Sequence, residues 1–441
     1  MRIPLVAALV AVACSHAAAA TATNDTATAS ANAATLVSVL GNDTGTDIGI
    51  TALGTPSSGT AAVLGTRILY RPAVGFAGTA TIPYTIGDGR RHGTVRRGVL
   101  GQSNNTLIHD SGYGSALVPI NANEYYLLTD RGPNIDGASA TEKVFPIPTY
   151  QPRIGRFLRQ SDGSFALVST VLLTRPNGVT AISGLPNPAN STSETAKAPT
   201  TGANVTYTPD TGVSAVPGQD TFGLDTEGLA VIGTDFWISD EYGPFMVKFN
   251  AAGVEQERVS PIAANSLAHS LPKVLARRRP NRGMEGLCKT PSGKLVGIMQ
   301  NALRNNVAAT AHSNGINNRT PTVRIVVYDP ATGLSQQYVY LLTDPNTNVA
   351  AGLRLSEIAC INETKFLVIE RDDAFPTNGS TIKKIYEINL SAATDISDAT
   401  DRVTGRLYTR SSTVATVDTL EKFTESVDTA AAVAVLSELR T

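Results

Sequence analysis

The sequence predicts an all-β protein in two parts, a small β-sandwich followed by a β-propeller-like domain. Three observations point that way. Charged residues make up only 17% of the 441, while Gly reaches 38 and Pro 24, a balance that suits short strands and many turns better than long surface helices. Strand-length apolar runs, separated by turn residues, recur along most of the chain. From about Val99 onward these runs repeat one loose unit: a strand, a tight turn and an apolar strand that ends on a polar or acidic residue.

The first twenty residues decide the compartment. Arg2 supplies a positive start and Leu5 to Ala13 a short apolar run. Ser15-His16-Ala17 and Ala18-Ala19-Ala20 both place small residues where a signal peptidase cuts, so residues 1–20 read as a signal peptide. The run is too short for a stable membrane span, and no later segment is long and apolar enough for one. A competing reading makes Cys14 a lipid-modified cysteine after Ala11-Val12-Ala13, but Ala11 stands where such signals usually have Leu. Soluble export is the stronger expectation, to a secreted, periplasmic or extracellular location. The formal net charge of −1, from 36 basic and 37 acidic residues, provides no field for nucleic acid or a membrane surface. Export also leaves Cys288 and Cys360 in an oxidising compartment. A disulfide between them is one arrangement, but two small buried thiols in equivalent strand positions are expected.

Residues 21–92 read as the sandwich. Val37 to Leu40 leads into the turn Gly41-Asn42-Asp43-Thr44-Gly45, Ile68 to Pro72 precedes Gly75-Phe76-Ala77-Gly78, and Ala80 to Ile86 alternates before Asp88-Gly89. Asn24-Asp25, Val39 to Asp43, Tyr70 to Pro72, Gly75 to Gly78 and Tyr84 to Gly89 follow, in order, the pattern of the bacterial cadherin-like or Ig-like module, which this segment resembles. The resemblance implies a spacer or adhesive unit that offers a contact to the cell surface. Arg90-Arg91-His92 and Arg96-Arg97 then form a short basic linker.

Residues 99–441 read as the propeller. Thr226-Glu227-Gly228-Leu229-Ala230 leads to Phe236-Trp237-Ile238-Ser239-Asp240-Glu241, Met284-Glu285-Gly286-Leu287-Cys288 leads to Leu295 to Gln300, and Ser356-Glu357-Ile358-Ala359-Cys360 leads to Phe366 to Glu370. A weaker copy runs from Gly114 to Asp130. Such units suit blades set radially about a central channel, with insertions in some. The largest insertion, Pro176 to Phe222, is crowded with Pro, Gly, Ser, Thr and Asn.

In a propeller, residues at equivalent places in successive blades face one another across the channel. Glu227, Glu285 and Glu357 sit at the start of an inner strand in each unit, and Asp240, Glu241 and Glu370 close the strand that follows. Crowded carboxylates repel and raise each other's pKa unless a cation neutralises them. Glu227, Asp240, Glu285, Glu357 and Glu370 are therefore candidate metal ligands. An oxygen-only set favours calcium or magnesium over zinc, since there are 5 His and no pair of them has ligand spacing. The alternative is that the glutamates bond backbone amides or pair with arginines. Arg131, Arg153, Arg282 and Arg371 stand beside the same motifs. They suit bidentate recognition of an anionic substrate, or neutralisation of the glutamates without one. No Gly-x-Ser-x-Gly elbow, phosphate-binding glycine loop or zinc-finger spacing is present.

Several stretches carry a second resemblance. Leu128-Thr129-Asp130-Arg131-Gly132-Pro133-Asn134, Phe145-Pro146-Ile147-Pro148, Ile182 to Asn187, Gly223 to Leu229, Phe236 to Phe245, Arg277 to Gly286 and Leu367 to Asp372 resemble, in order, the esterase-like phytase family. The resemblance implies a hydrolase in which calcium gathers phosphate and activates water, with the insertion as a lid. Asp130, Arg131, Asp240 and Glu241 are then the candidate catalytic residues, and a small anionic ester or phosphate the substrate. A non-catalytic, ligand-binding or partner-binding surface propeller and a lactonase-like enzyme are the alternatives. Relatives continue into one more Glu-Gly strand pair. Here the sequence after Tyr408 turns Thr-rich and Leu420 to Leu439 is helix-like, so the ring is expected to be truncated by one blade. If the export signal is read correctly, intact mass of secreted protein will place the new N-terminus between Ala18 and Thr21; a lipid adduct on Cys14 would refute this.

Overall fold

The computed structural model describes residues 2–6, 20–88 (without 32, 46–47 and 65), 99–160 (without 104–105, 111 and 140), 165–188, 194–207, 217–262, 269–303, 321–342, 353–372 and 382–397. The chain divides into two compact units, Met1–Arg97 with Leu158–Leu167, and Gly98–Phe157 with Val168–Thr441. Strands and turns account for both. Among the described residues there is no α-helix, and Lys273–Arg277 forms a single 3-10 turn.

The first unit is a sandwich of short sheets: Thr26–Ser30 with Arg2–Val6 and Ala80–Thr81; Thr35–Ser38 with Arg67–Arg71 and Thr60–Leu64; and Ile48–Leu53 with Tyr84–Asp88. Its strands alternate as a half-buried sheet requires. In Arg67–Arg71, Ile68 and Tyr70 face inward while their neighbours face solvent. Val37, Val39, Ile50, Ile82, Tyr84 and Ile86 complete that core. The motif residues meet in space. Tyr84 Oη lies 2.5 Å from Asp25 Oδ2 and 3.0 Å from the Val39 carbonyl, and Asp43 Oδ1 accepts the Thr23 amide at 2.7 Å. Residues 7–19, over which most of the export signal is read, lie outside the described residues.

Among the described residues from Ala116 onward the chain forms four antiparallel blades in sequence order. The first is Ala116–Pro119, Glu124–Leu128, Arg153–Arg159 and Phe165–Leu172; the second is Thr226–Ile232, Asp235–Asp240, Phe245–Phe249 and Glu255–Val259. The third is Met284–Lys289, Leu295–Met299, Thr322–Asp329 and Leu334–Leu341, and the fourth is Arg354–Cys360, Lys365–Arg371 and Lys383–Asn389. The opening strand of each blade is the inner one, and the inner strands of successive blades lie side by side. This is the radial, propeller-like arrangement that the repeats predict. Apolar packing between blades holds it: Trp237, Met246, Met284, Ile298, Leu355 and Phe366 join the second to fourth blades, and Leu128, Ile154, Leu229, Ile238 and Phe245 join the first to the second. The segment after the fourth blade returns to the outer strand of the third, where Ile396 N–H donates to the Gln337 carbonyl at 2.9 Å and Ser397 Oγ accepts the Gln337 amide at 2.8 Å. Residues 398–441, on which the expectation of a missing blade falls, lie outside the described residues.

The inner strands come close because two positions carry no side chain. A β-carbon on Gly228 would stand 2.3 Å from the Leu287 nitrogen, and one on Gly286 would stand 2.6 Å from the Ile358 nitrogen. The inner strands of the second, third and fourth blades also bulge beside an acidic residue, with breaks in register between Thr226 and Leu229, Met284 and Gly286, and Leu355 and Glu357. Ser239 Oγ accepts the Gly228 N–H at 2.7 Å in the first of these bulges.

One expectation is overturned here. Cys288 and Cys360 are joined in a disulfide, with Cα atoms 5.6 Å apart. Gly228 faces Leu287 and Gly286 faces Glu357 and Ile358, so neighbouring inner strands are staggered by about one residue along their pairing register. The stagger carries Cys288 onto Cys360, which makes them partners instead of separate buried thiols. The bond closes a loop of 72 residues, and the loss of loop entropy in the unfolded chain gives a stabilisation of about 4 kcal/mol. A Cys288→Ser, Cys360→Ser double variant should therefore melt lower by roughly 10 °C in scanning calorimetry. An unchanged midpoint, or two titratable thiols in the native protein, would rule the crosslink out.

Candidate functional site

Five carboxylates gather where the inner strands begin. Ligand atoms of Asp130, Asp225 and Glu227 lie within 4.8 Å of one another, as do those of Glu227, Glu241 and Glu285, so Glu227 belongs to both groups. Asp225 and Glu227 stand at the start of the second blade's inner strand, Glu285 at the same place in the third, and Asp130 and Glu241 just beyond second strands. The Glu241 amide donates to the Asp225 carbonyl at 3.0 Å, which fixes the two corners together.

Register explains which side chains arrive. Thr226 pairs with Asp240, Met284 with Met299 and Leu355 with Glu370. Along a pleated strand successive side chains point to opposite faces, so the next residues, Glu241, Gln300 and Arg371, turn to the opposite face from Asp240, Met299 and Glu370. All three reach the acids. Gln300 Nε2 donates to Glu285 Oε2 at 2.7 Å, and Arg371 Nη2 lies 4.0 Å from Glu285 Oε1. On the inner strands the same register aligns Glu227 with Glu285 and with Ser356, whose Oγ accepts Arg371 Nε at 2.7 Å.

The structure brings Glu227, Glu285, Glu241 and Asp130 together and directs the other predicted acids elsewhere. Asp240 is fully buried, and its two oxygens accept the Asp225 amide at 2.8 Å and the Gly243 amide at 2.6 Å, holding the turn that presents Glu241. Glu370 is fully buried and accepts Tyr340 Oη at 2.9 Å. Glu357 Oε1 accepts its neighbour's amide, from Ile358, at 2.8 Å and stands outside both groups of acids.

The arginines divide in the same way. Arg131 is buried, its Nη1 lying 2.9 Å from Asp225, 2.8 Å from Glu194 and 3.3 Å from Tyr242 Oη, and its Nη2 lying 3.2 Å from Asn134. Arg153 stacks on the Tyr150 ring at 4.8 Å and lies 3.7 Å from Asp110. Arg282 and Arg371 are partly exposed beside Glu241 and Glu285. Sequence reasoning did not single out Asp225, Glu194, Gln300 or Arg278. Asp225 was within reach, lying inside the Gly223 to Leu229 motif. Glu194 comes from the long insertion, which is not detached: Thr195–Lys197 pairs in parallel with Glu142–Val144, and Asp220 holds Arg175 at 2.7 Å and Ser183 at 2.6 Å.

The electrostatics follow from burial and crowding. Burial raises Glu227 well above the usual carboxylate range, and repulsion from Glu285, Asp225, Glu241 and Asp130 adds to the rise. Glu285 is raised well above it by burial and by Glu241, and Glu241 is raised by burial against the pull of Arg282, Arg131 and Arg278. Asp225 is raised by burial although Arg131 opposes the rise. Burial also lifts Asp240 to about 6 and Glu357 to about 7. Glu241 Oε1 is buried with no hydrogen-bonding partner, and so is Gln300 Oε1. A buried bare carboxylate oxygen beside two further carboxylates is unfavourable unless a proton or a cation meets it. The residues present therefore fit an oxygen-ligated cation such as calcium or magnesium. A separate cavity of about 570 Å³ opens at the far end of the inner strands, lined by Val118, Tyr126, Arg156, Val231, Phe236 and Lys289, and holds none of the predicted site residues.

Residues 111–437 match the family described as esterase-like activity of phytase. The chain belongs to that family. Residues 17–96 match the bacterial Ig domain. An uncharacterized secreted protein of Arthroderma benhamiae is 29% identical over 252 residues, which covers 47% of this chain and 45% of that protein, so the match spans under half of the relative. Among solved structures, a glucose dehydrogenase shares 11% identity at a TM-score of 0.24, covering 73% of this chain and 96% of its own. A chain of a nidogen/laminin complex shares 10% at 0.22, covering 66% and 94%. At those scores neither bears on the fold, which stands on the sheet topology. No helix among the described residues is long and apolar enough to cross a membrane.

The raised carboxyls set a direction for stability. Each is protonated in the folded chain at a pH where it is ionised in the unfolded one, so its contribution is full below about pH 4 and is lost as pH rises through the folded values near 6 and 7 and above. With chelator present, the melting temperature should fall by roughly 5 °C between pH 5 and pH 8, and calcium should remove the part of that fall that comes from Glu227, Glu241 and Glu285. Glu285→Gln should flatten the slope. A melting temperature that climbs over this range in chelator would contradict the assignment.

Proposed function

We propose that this protein is an exported, cation-dependent hydrolase of phosphoric esters. The observation that carries the proposal is the Glu227, Glu241 and Glu285 cluster, with a bare buried oxygen on Glu241, flanked by arginines whose guanidinium groups reach its edge. Membership of the family supports ester hydrolysis, and the disulfide suits an oxidising compartment beyond the cytoplasm.

Glu227, Glu241 and Glu285 would hold the cation, with calcium the favoured ion. When bound it supplies a Lewis acid and offsets the charge of the carboxylates. The remaining chemistry belongs to the chain. Arg282 and Arg371, partly exposed at the acids, bind the ester oxygens, while Arg131 stays engaged with Asp225 and Glu194 and sets the position of both. Asp130, exposed at the rim, accepts a proton from an approaching water. Gln300 holds Glu285 in place through its amide, and Asp240 holds the turn of Glu241. Arg153, stacked on Tyr150 and close to Asp110, shapes the neighbouring wall. The N-terminal module acts as a spacer or cell-surface contact.

A panel of phosphate monoesters, carboxylic esters and lactones, run with calcium and with chelator, tests the reading. Calcium-dependent release of phosphate is expected, and Arg282→Gln and Arg371→Gln should each lower kcat/KM by roughly 10–100-fold, the loss expected for a charge-assisted contact of 1.5–3 kcal/mol. Turnover of lactones alone would move the assignment to a lactonase-like enzyme. Calcium binding without turnover of any ester would make the domain a ligand-binding propeller.

A further inference from the structure

We propose that the row of carboxylates holds one divalent cation, at Glu227, Glu241 and Glu285, and that the Arg131 guanidinium stands in for a second at Asp225. The inference rests on the cation reading above and adds the number of ions and their place. The two groups of acids share Glu227 but differ in what else reaches them.

In the first group, Asp130, Asp225 and Glu227, the most buried acid is already paired. Arg131 Nη1 lies 2.9 Å from Asp225 Oδ2 and 2.8 Å from Glu194 Oε2, and the guanidinium is flanked by the rings of Tyr242 at 5.7 Å and Phe145 at 6.0 Å. An arginine in such a setting does not give up its proton, and its planar fork is fixed by four partners. A metal ion entering beside it would meet a permanent positive charge in a poorly solvated site. Asp225, 1% exposed, is thus committed to Arg131 and to the corner it shares with Glu241.

In the second group, among the described residues, the ion pair that reaches the acids is longer. Arg371 stands 4.0 Å from Glu285, at the limit of an ion pair. Glu241 is 1% exposed and its Oε1 has no partner, and Gln300 offers a second bare buried oxygen on the residue that donates to Glu285. Three carboxylates, one of them with an unpartnered oxygen, and the bare oxygen of Gln300 form the donor set of a hard cation. The channel's negative charge is then offset from two sides: by a side chain fixed in the sequence at the first blade, and by an ion between the second and third.

The test is calcium stoichiometry of the full chain by titration calorimetry and native mass spectrometry. One equivalent is expected in the parent protein, with affinity falling roughly 10–100-fold or more in Glu241→Gln, as ligand changes at metal sites do. Asp225→Asn should keep its one equivalent, and Arg131→Met should take up a second. If Arg131→Met does not fold, the contrast between Glu241→Gln and Asp225→Asn decides alone. Two equivalents in the parent protein would overturn the inference and leave the cation reading standing. So would calcium lost in Asp225→Asn and kept in Glu241→Gln. Absence of binding by calcium, magnesium and manganese alike would overturn both.

Discussion

At Gly228 and Gly286 the inner strand of one blade runs so close to the next that a single methyl group would strike backbone. That contact sets the rest of the second unit. With no side chain between them, the strands bring their bulged starts together, and Glu227 in the second blade's bulge arrives beside Glu285 in the third's. The same spacing brings Cys288 to Cys360 further along the strands. A covalent bond and a group of mutually repelling carboxylates thus come from one geometric cause, at opposite ends of the strands. Apolar packing behind them, from Trp237 to Phe366, supplies the burial that opposes the repulsion.

Charge in the channel is balanced unevenly from blade to blade. The register position one beyond Asp240, Met299 and Glu370 carries Glu241 in the second blade, Gln300 in the third and Arg371 in the fourth, so one structural place runs from acid through amide to base. Crowding is worst between the second and third blades and eases towards the fourth. The first blade brings Arg131 and, through the long insertion, Glu194 answers it. That insertion contributes its own small core of Leu185, Ala196 and Val205 against Phe145, which fixes the loop that delivers Glu194.

Much of this was legible in the sequence. Asn24-Asp25, the turn through Asp43 and Tyr84 announced the sandwich, and in the structure Asn42 of that turn donates to the Asn24 carbonyl and Tyr84 donates to Asp25. The Glu-Gly pairs at 227–228 and 285–286 announced two inner strands and two of the clustered acids, because the glycine marks the close approach and the glutamate the bulge. The fourth blade is where the pattern misleads. Ser356-Glu357-Ile358 looks like the same motif, yet Ser356 holds the place of Glu227, since the bulge inserts one residue and a shift of one moves every side chain to the other face. Asp240 and Glu370 sit one residue short of the channel face for the same reason. Glu194 was hidden for a different one: it lies 63 residues from the arginine it meets, and nothing local marks it.

The return of residues 395–397 onto the third blade has a further effect. Leu334–Leu341 is the outermost strand of that blade, and a strand in that place exposes a row of unpaired amides and carbonyls. Ile396 and Ser397 take up the Gln337 pair, while Asp395 Oδ2 accepts from the Gln336 side chain at 3.1 Å. A foreign strand looking for that edge would have to displace a segment of the same chain, held at a high local concentration by the short connection from the fourth blade. The clip therefore guards against edge-to-edge association between copies.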